Sequence, residues 1–504
     1  MQLFWLYLRL IEKERGMSDV ITILNQNKMK KTSAIYTIPI VAMALFVVGC
    51  SNVIEQLQDS CEVQMSTYVN PIPLTKSESI ALVVQQKGTY KVSKDEALEK
   101  LDRFAASNSE NRTSNIQVKS TTLKISPSTG QDMYYEVVFK SEKGIGFSLL
   151  SADERVDEVL CYSEVGSITD TSFNKSLQYC LDLVDSYVME QTKKELDIDV
   201  LVSSAKEKLA LRELKTLSTK NTPLFDPNTW TYDGMYFDET EDVRLKSIPG
   251  LTHGSTLIGW HQRPPLNDSL PFVSGMTTTG NGRAFVGCVP VATAQIMAYW
   301  KKSFKTYLST INSWNTMLSN ANTSVELRKF IKEICDRIIT DNIPNGASYS
   351  TTGTGIPPTI SVSSVRNFLQ NNGYFVDAAY LYNNQNNLPG FDYTWEALSY
   401  GPTYMEGNAT QGLHAWVAEG AKIISRHYYE KWTYWYGNKI WEHRIYDLTP
   451  ILYKYVKCRW GWDNYYPNTT PTINTWFTDN VFMVTRLGET FNFNSSVYVV
   501  RKIY

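Results

Sequence analysis

Gly287-Cys288-Val289-Pro290-Val291-Ala292-Thr293-Ala294-Gln295-Ile296-Met297-Ala298-Tyr299 is the stretch on which the reading of this chain turns. Val289, Ala292, Ile296, Tyr299 and Trp300 fall on one broad apolar face at helical spacing, so the segment reads as a helix running to about Lys302. Pro290 fixes where it begins. The ring removes a backbone donor and is tolerated only in a first helical turn, where that donor has no partner anyway. The helix therefore starts at or next to Cys288. A cysteine there faces unpaired N–H groups and the positive end of the helix dipole, and both favour a thiolate. The bland alternative is a small buried residue, the commoner fate of a cysteine beside glycine.

Working outward, the histidines are few: His253, His261, His414, His427 and His443. His414 lies in Gly412-Leu413-His414-Ala415-Trp416-Val417-Ala418-Glu419-Gly420, and Arg459-Trp460-Gly461-Trp462 follows later. Upstream stands Trp260-His261-Gln262-Arg263-Pro264-Pro265-Leu266-Asn267, with Gln262 about 26 residues before Cys288. Together these segments resemble, in order, the motifs of the streptopain family, a bacterial branch of the papain-like cysteine peptidases. The resemblance implies Cys288 as nucleophile, His414 as base, and Gln262 as donor to the tetrahedral oxyanion beside the Cys288 amide. It also implies Trp460 as a cover for the histidine, with Gly287 and Trp416 in contact with substrate. No cofactor and no metal are implied.

Three positions depart from the family pattern. Leu413 replaces a Gly, Glu419 an Asp, and Arg459 the Asn of Asn-Trp-Gly-Trp. An arginine cannot accept a hydrogen bond, so Arg459 cannot hold the His414 ring N–H. Long basic side chains usually find water, and Arg459 is expected to face solvent with activity retained. The segment between His414 and Trp460 is longer than in streptopain. It reads as an aromatic hairpin, Arg426–Tyr436, a turn at Gly437-Asn438, and Lys439–Leu448. Its aromatics either pack a twisted ribbon or form a binding rim.

The first half reads as a separate small α+β domain. Ser93-Lys94-Asp95-Glu96 is a capping box, and Ala97, Leu98, Leu101 and Phe104 continue it at helical spacing. Strand-like runs follow at Tyr134–Phe139 and Phe147–Leu150, with a turn at Lys143-Gly144. Gly146-Phe147-Ser148-Leu149-Leu150-Ser151-Ala152-Asp153-Glu154-Arg155, Val159-Leu160-Cys161-Tyr162-Ser163 and Asn174-Lys175-Ser176-Leu177 are similar to the streptopain-type propeptide. That likeness implies a prodomain that covers the cleft until proteolysis removes it.

The N-terminus reads as a targeting signal. Lys28, Lys30 and Lys31 precede an apolar run from Ile35 to Val48, too short to span a bilayer comfortably. Val47-Val48-Gly49-Cys50 resembles a bacterial lipobox, which implies lipidation of Cys50, with Met29 the better start than Met1. The expected layout is thus a signal peptide over 1–50, tether and inhibitory prodomain over 51–195, a processing linker over 196–228 rich in Lys and Pro, and a papain-like α+β catalytic domain over 229–504. The expected product is exported and lipid-anchored to the cell envelope, at the outer membrane or cell surface. Its partners are peptide or protein substrates, its own prodomain and the membrane.

The 504 residues suit several domains, and 43% hydrophobic against 20% charged is ordinary for globular protein. A net charge of −2 without a basic block gives no footprint for nucleic acid. Seven cysteines show no CxxC or scaffold spacing, and mostly free thiols are expected. No G-x-S-x-G elbow and no H-E-x-x-H occurs, which speaks against serine and zinc hydrolases. Two readings compete with an active endopeptidase: a pseudo-enzyme on the same fold, for which Arg459 and Leu413 speak, and a surface binding lipoprotein using the hairpin.

Overall fold

The computed structural model describes residues 74–108, 114–169, 175–216, 230–237, 242–248, 252–253, 256–257, 260–276, 281–302, 304–305, 310–311, 314–319, 324–351, 353, 361–381, 390–409, 412–426, 428–436, 439–447, 451–461, 474–483, 497–500 and 503. The signal segment, Cys50, most of the tether and positions 217–228 of the expected linker lie outside them.

The chain opens with two capped helices. In α1 (Lys76–Lys87) Thr75 and Glu78 exchange backbone and side-chain bonds, and in α2 (Lys94–Ala106) Ser93 and Glu96 do the same, as the capping-box pattern dictates. Four antiparallel strands follow: β1 (Gln117–Ile125), β2 (Asp132–Ser141), β3 (Gly144–Ser151) and β4 (Val159–Ser163). Ala97, Leu101 and Phe104 from α2 are buried against Phe139, Leu150 and Tyr162 of the sheet. Helix α3 (Lys175–Thr192) covers the other face through Leu177, Cys180, Leu183, Val184 and Val188. Much of the expected linker is helical: α4 (Ile198–Thr216) packs on α1, and Lys208 and Ser204 both bond the buried Glu78 carboxylate, at 2.7 and 2.8 Å.

The second half starts at β5 (Trp230–Phe237) and β6 (Asp242–Ser247), followed by two short pairs, β7 (Thr252–His253) with β8 (Thr256–Leu257) and β9 (Phe304–Lys305) with β10 (Thr310–Ile311). Between those pairs runs α5 (Cys288–Trp300), buried on nearly every side. Helices α6 (Trp314–Ser319), α7 (Val325–Asn342) and α8 (Ser361–Asn371) wrap it through Met317, Phe330, Ile334, Val365 and Phe368. The rest is largely sheet: β11 (Ala379–Leu381), then, after helix α9 (Gly390–Ala397), β12 (Thr403–Ala409), β13 (Gly412–Arg426), β14 (Tyr428–Tyr436), β15 (Lys439–Asp447), β16 (Ile451–Arg459), β17 (Asn474–Thr478) and β18 (Val497–Val500). The aromatic hairpin is β14–β15, as expected, and β5 adds a third strand to it. Both β5 and β6 are paired to strands of this half.

The two halves share one eleven-stranded sheet, in the order β1-β2-β3-β4-β17-β16-β13-β12-β18-β11, with β6 also on β13. The seam is β4 on β17, where Tyr162 faces Trp476 and Cys161 faces Phe477. Beside it Asp157, 2% exposed, accepts from Thr478 Oγ1 at 2.5 Å, Asn480 Nδ2 at 2.6 Å and Lys76 Nζ at 2.6 Å. Burial pushes the Asp157 carboxyl up, but Lys76 and the donors outweigh it and hold it below its ordinary value. Lys422 of β13 crosses the same boundary. Its ammonium lies over the Phe104 ring at 4.1 Å and bonds Ser107 Oγ and Asn108 Oδ1 at the end of α2, where a cation suits the helix dipole.

Candidate active site

The helix that carries Cys288 begins where Pro290 requires. Gly287 is the residue before it, with φ 87° and ψ 152°, a conformation a side chain would strain. Gly353 presses on it, since a Cβ at 353 would stand 2.7 Å from the Gly287 Cα. On the other side of α5, a Cβ at Gly461 would stand 2.4 Å from Val291 Cγ1. Glycine in Trp460-Gly461 is therefore what lets the end of β16 close against the nucleophile helix.

The topology brings Cys288 to the backbone of the strand that carries His414. Helix α5 packs across β13, and the backbone of Ala415, the residue after His414, bonds the Cys288 sulfur. Burial pushes the Cys288 thiol up to about 11, against the pull of the Ala415, Val289 and Cys288 amides, and the Glu406 carboxyl adds to the rise. The surroundings of Cys288 thus favour its neutral thiol form. Gln262 is buried, and its carbonyl accepts from the Val286 amide at 3.0 Å, which ties its segment two residues ahead of Cys288. His261 is a packing histidine, buried with Nδ1 accepting from the Arg263 amide at 3.2 Å.

Trp416 and Trp460 are both fully buried. Their rings lie 6.0 Å apart, and Trp460 Nε1 donates to Thr475 Oγ1 at 3.0 Å. Trp416 also packs on Phe482 at 6.2 Å. Its surroundings are core residues together with Tyr179 of the first domain.

Arg459 does not face solvent. It is 1% exposed, and its Nε donates to Glu419 Oε2 at 2.6 Å. Lys457 Nζ and Asn474 Nδ2 hold the other carboxylate oxygen at 3.2 and 2.8 Å. The physical reason lies in β13. Its pairing with β16 slips between Ala418 and Gly420, leaving Glu419 as the extra residue of a bulge beside Arg459. Burial pushes the Glu419 carboxyl up, but Arg459 and Lys457 outweigh it and keep it ionised. The two departures at 419 and 459 are one ion pair, and the guanidinium charge is neutralised within it.

Residues outside the sequence motifs complete the site. Tyr179, on α3 of the first domain, lies against the His414 ring at 5.7 Å and Trp416 at 6.2 Å. Its seat is Gly407, paired with His414 across β12–β13, where a Cβ would stand 2.2 Å from the Tyr179 ring. Glu406, beside that glycine, is buried and bonds Tyr404 OH at 2.8 Å and Ser361 Oγ. A lone charge in the run Thr403-Tyr404-Met405-Glu406-Gly407 was the available signal for Glu406; nothing in the sequence singled out Tyr179. Cys161, Cys180, Cys288, Cys335 and Cys458 are free thiols, and Cys61, like Cys50, lies outside the described residues.

Comparison with known families agrees with this geometry. The Peptidase C10 family model matches residues 260–467, which hold Gln262, Cys288, His414 and Trp460. Residues 260–467 thus form a Peptidase C10, or streptopain-type, domain, and this supports a cysteine-type peptidase. A Spi protease inhibitor model matches residues 89–188, from just before α2 to most of α3, so the peptidase follows a propeptide-like inhibitor domain. No curated protein matches the chain.

Proposed function

We propose that the chain is a streptopain-like endopeptidase made as a latent, lipid-anchored precursor. The observation that carries the reading is the contact between α3 and the site. A side chain of the inhibitor-type domain lies on the ring of His414, while the surroundings of Cys288, beside Ala415, favour its neutral thiol form. Removal of α3 frees the imidazole to take the thiol proton. The thiolate then attacks the scissile carbonyl, and the oxyanion is met by the Cys288 amide and Gln262. The imidazolium returns its proton to the leaving amine, and water resolves the acyl-enzyme with His414 as base. Trp460 supports this arrangement from behind Trp416, and Gly287 leaves the substrate backbone room to approach.

The pseudo-enzyme reading loses its main support, because Arg459 is neutralised by Glu419. Processing is assigned to positions 217–229, between α4 and β5. The lipobox assigns the anchor to Cys50, which places the precursor at the cell envelope, with the catalytic domain released on cleavage. The test is a time course of the purified precursor against Cys288→Ala with a protein substrate. Wild type shortens and then hydrolyses substrate, and Cys288→Ala does neither. Equal hydrolysis by both proteins overturns the reading.

A further inference from the structure

Glu406 stands on β12 opposite Ala415, and Tyr404 stands opposite Val417. Side chains alternate across a strand, so Tyr404, Glu406, Ala415 and Val417 share one face, and His414 and Trp416 take the other. The packing agrees. Tyr404, Ala415 and Val417 are buried with Val289 and Ala292 of α5, whereas Met405 and Trp416 are buried with Tyr179. Glu406 is therefore on the nucleophile's side of the sheet, one strand from the residue whose backbone bonds the Cys288 sulfur, and its charge reaches that sulfur.

The carboxyl is 1% exposed. It accepts from Tyr404 OH, from Ser361 Oγ and from the Val362 amide, the last two at the first turn of α8. Among the described residues no cation pairs with it. The groups that face it are Cys288 from α5, Tyr404 from its own strand and the N-terminus of α8. Strand β13 presents Ala415, and β18 places Tyr498 opposite in register. Burial pushes the carboxyl up to about 7, with its three donors holding it from rising further. Capping α8 alone would explain the hydrogen bonds. It does not call for a carboxyl placed where its charge bears on the nucleophile.

We propose that Glu406 is a positioning residue for the peptidase reaction: its carboxyl, pinned to the start of α8 behind Cys288, sets how readily the thiol gives up its proton. The proposal rests on the peptidase reading above. A negative charge at this place opposes the thiolate and a neutral carboxyl does not. The nucleophile is therefore most easily ionised while Glu406 holds its proton, and loses part of that ease as the pH rises through neutrality.

The test is site-resolved alkylation of Cys288 by iodoacetamide, an uncharged reagent, on the full chain across roughly pH 5–9, with Cys288→Ala as blank. Wild type should show an inflection near neutrality besides that of the thiol. In Glu406→Gln that inflection disappears, and the thiol curve moves to lower pH by about one unit. Should Glu406→Gln fail to fold, Tyr404→Phe keeps the carboxyl but removes one donor, and the inflection moves upward. A pH profile superposable on wild type in the folded Gln variant, or in Tyr404→Phe, shows that Glu406 only caps α8 and overturns the proposal. Cys288 that stays no more reactive than the buried thiols even after cleavage between α4 and β5 would instead bring down the peptidase reading.

Discussion

Replacing Glu419 by alanine isolates the feature that separates this site most clearly from the family pattern. The carboxylate is buried, and it alone is described bonding the Arg459 Nε, at 2.6 Å. Its loss takes that carboxylate from a guanidinium that is 1% exposed. Breaking a buried pair from one side costs about 3–5 kcal/mol. The reverse deletion, Arg459→Met, should cost less, because Lys457 at 3.2 Å and Asn474 at 2.8 Å still hold the carboxylate. Removing both charges, Glu419→Leu with Arg459→Met, should come close to wild type or exceed it, since well-packed apolar replacements of buried pairs are often neutral or stabilising. The assay is urea unfolding in a Cys288→Ala background, which excludes self-digestion, with m unchanged across the set. Acid should erase part of the difference. The folded carboxyl is held below its ordinary value of 4.5, so its contribution is fully present above that pH and is lost as the pH falls through the depressed value. A cost below about 0.5 kcal/mol for Glu419→Ala, in the range of ordinary surface changes, refutes the claim that the two departures form one compensating unit.

Three further outcomes follow from the same geometry. Tyr179→Ala, which vacates the seat over Gly407 and His414, should give an uncleaved precursor with measurable peptide hydrolysis; a precursor as silent as wild type would show that the ring does not restrain the base. Gln262→Ala should lower kcat by about 10²–10³ with little change in KM, and a tenfold rise in KM at unchanged kcat would mean that Gln262 binds substrate instead. Cys50→Ser should leave the protein unprocessed at its signal and outside the membrane pellet, and fractionation identical to wild type removes the lipid anchor from the account.

Much of this site is legible in the sequence because local rules write it there. Pro290 can stand only in a first turn, so the start of α5 is fixed by one residue, and the capping boxes fix α1 and α2 in the same way. Gln262, Cys288, His414 and Trp460 sit in motifs whose order carries the family. What stays hidden depends on contacts between segments far apart in the chain. Arg459 was expected in water because a lone arginine usually goes there; its burial depends on a β-bulge that aims Glu419 at it, and the register of two strands cannot be read from either. Tyr179 is one aromatic in an apolar helix, and its role appears only once β4 joins β17 and carries α3 across the catalytic strands. Lys422 could have been noticed as a single charge in the run Ala421-Lys422-Ile423-Ile424, yet its partner, the end of α2, lies more than 300 residues away. The helical part of the expected linker is hidden for a related reason. Its lysines look solvated, but Lys208 reaches the buried Glu78 and docks α4 on α1.

The central claim is that Cys288 is a peptidase nucleophile kept latent by the inhibitor-type domain. An irreversible thiol-directed peptidyl probe, applied to the full chain before and after cleavage between α4 and β5, tests it most directly. The account predicts faint labelling of the precursor, strong labelling of the cleaved form at Cys288, and none in Cys288→Ala. Equal labelling before and after cleavage contradicts the latency, and labelling that survives Cys288→Ala contradicts the nucleophile itself.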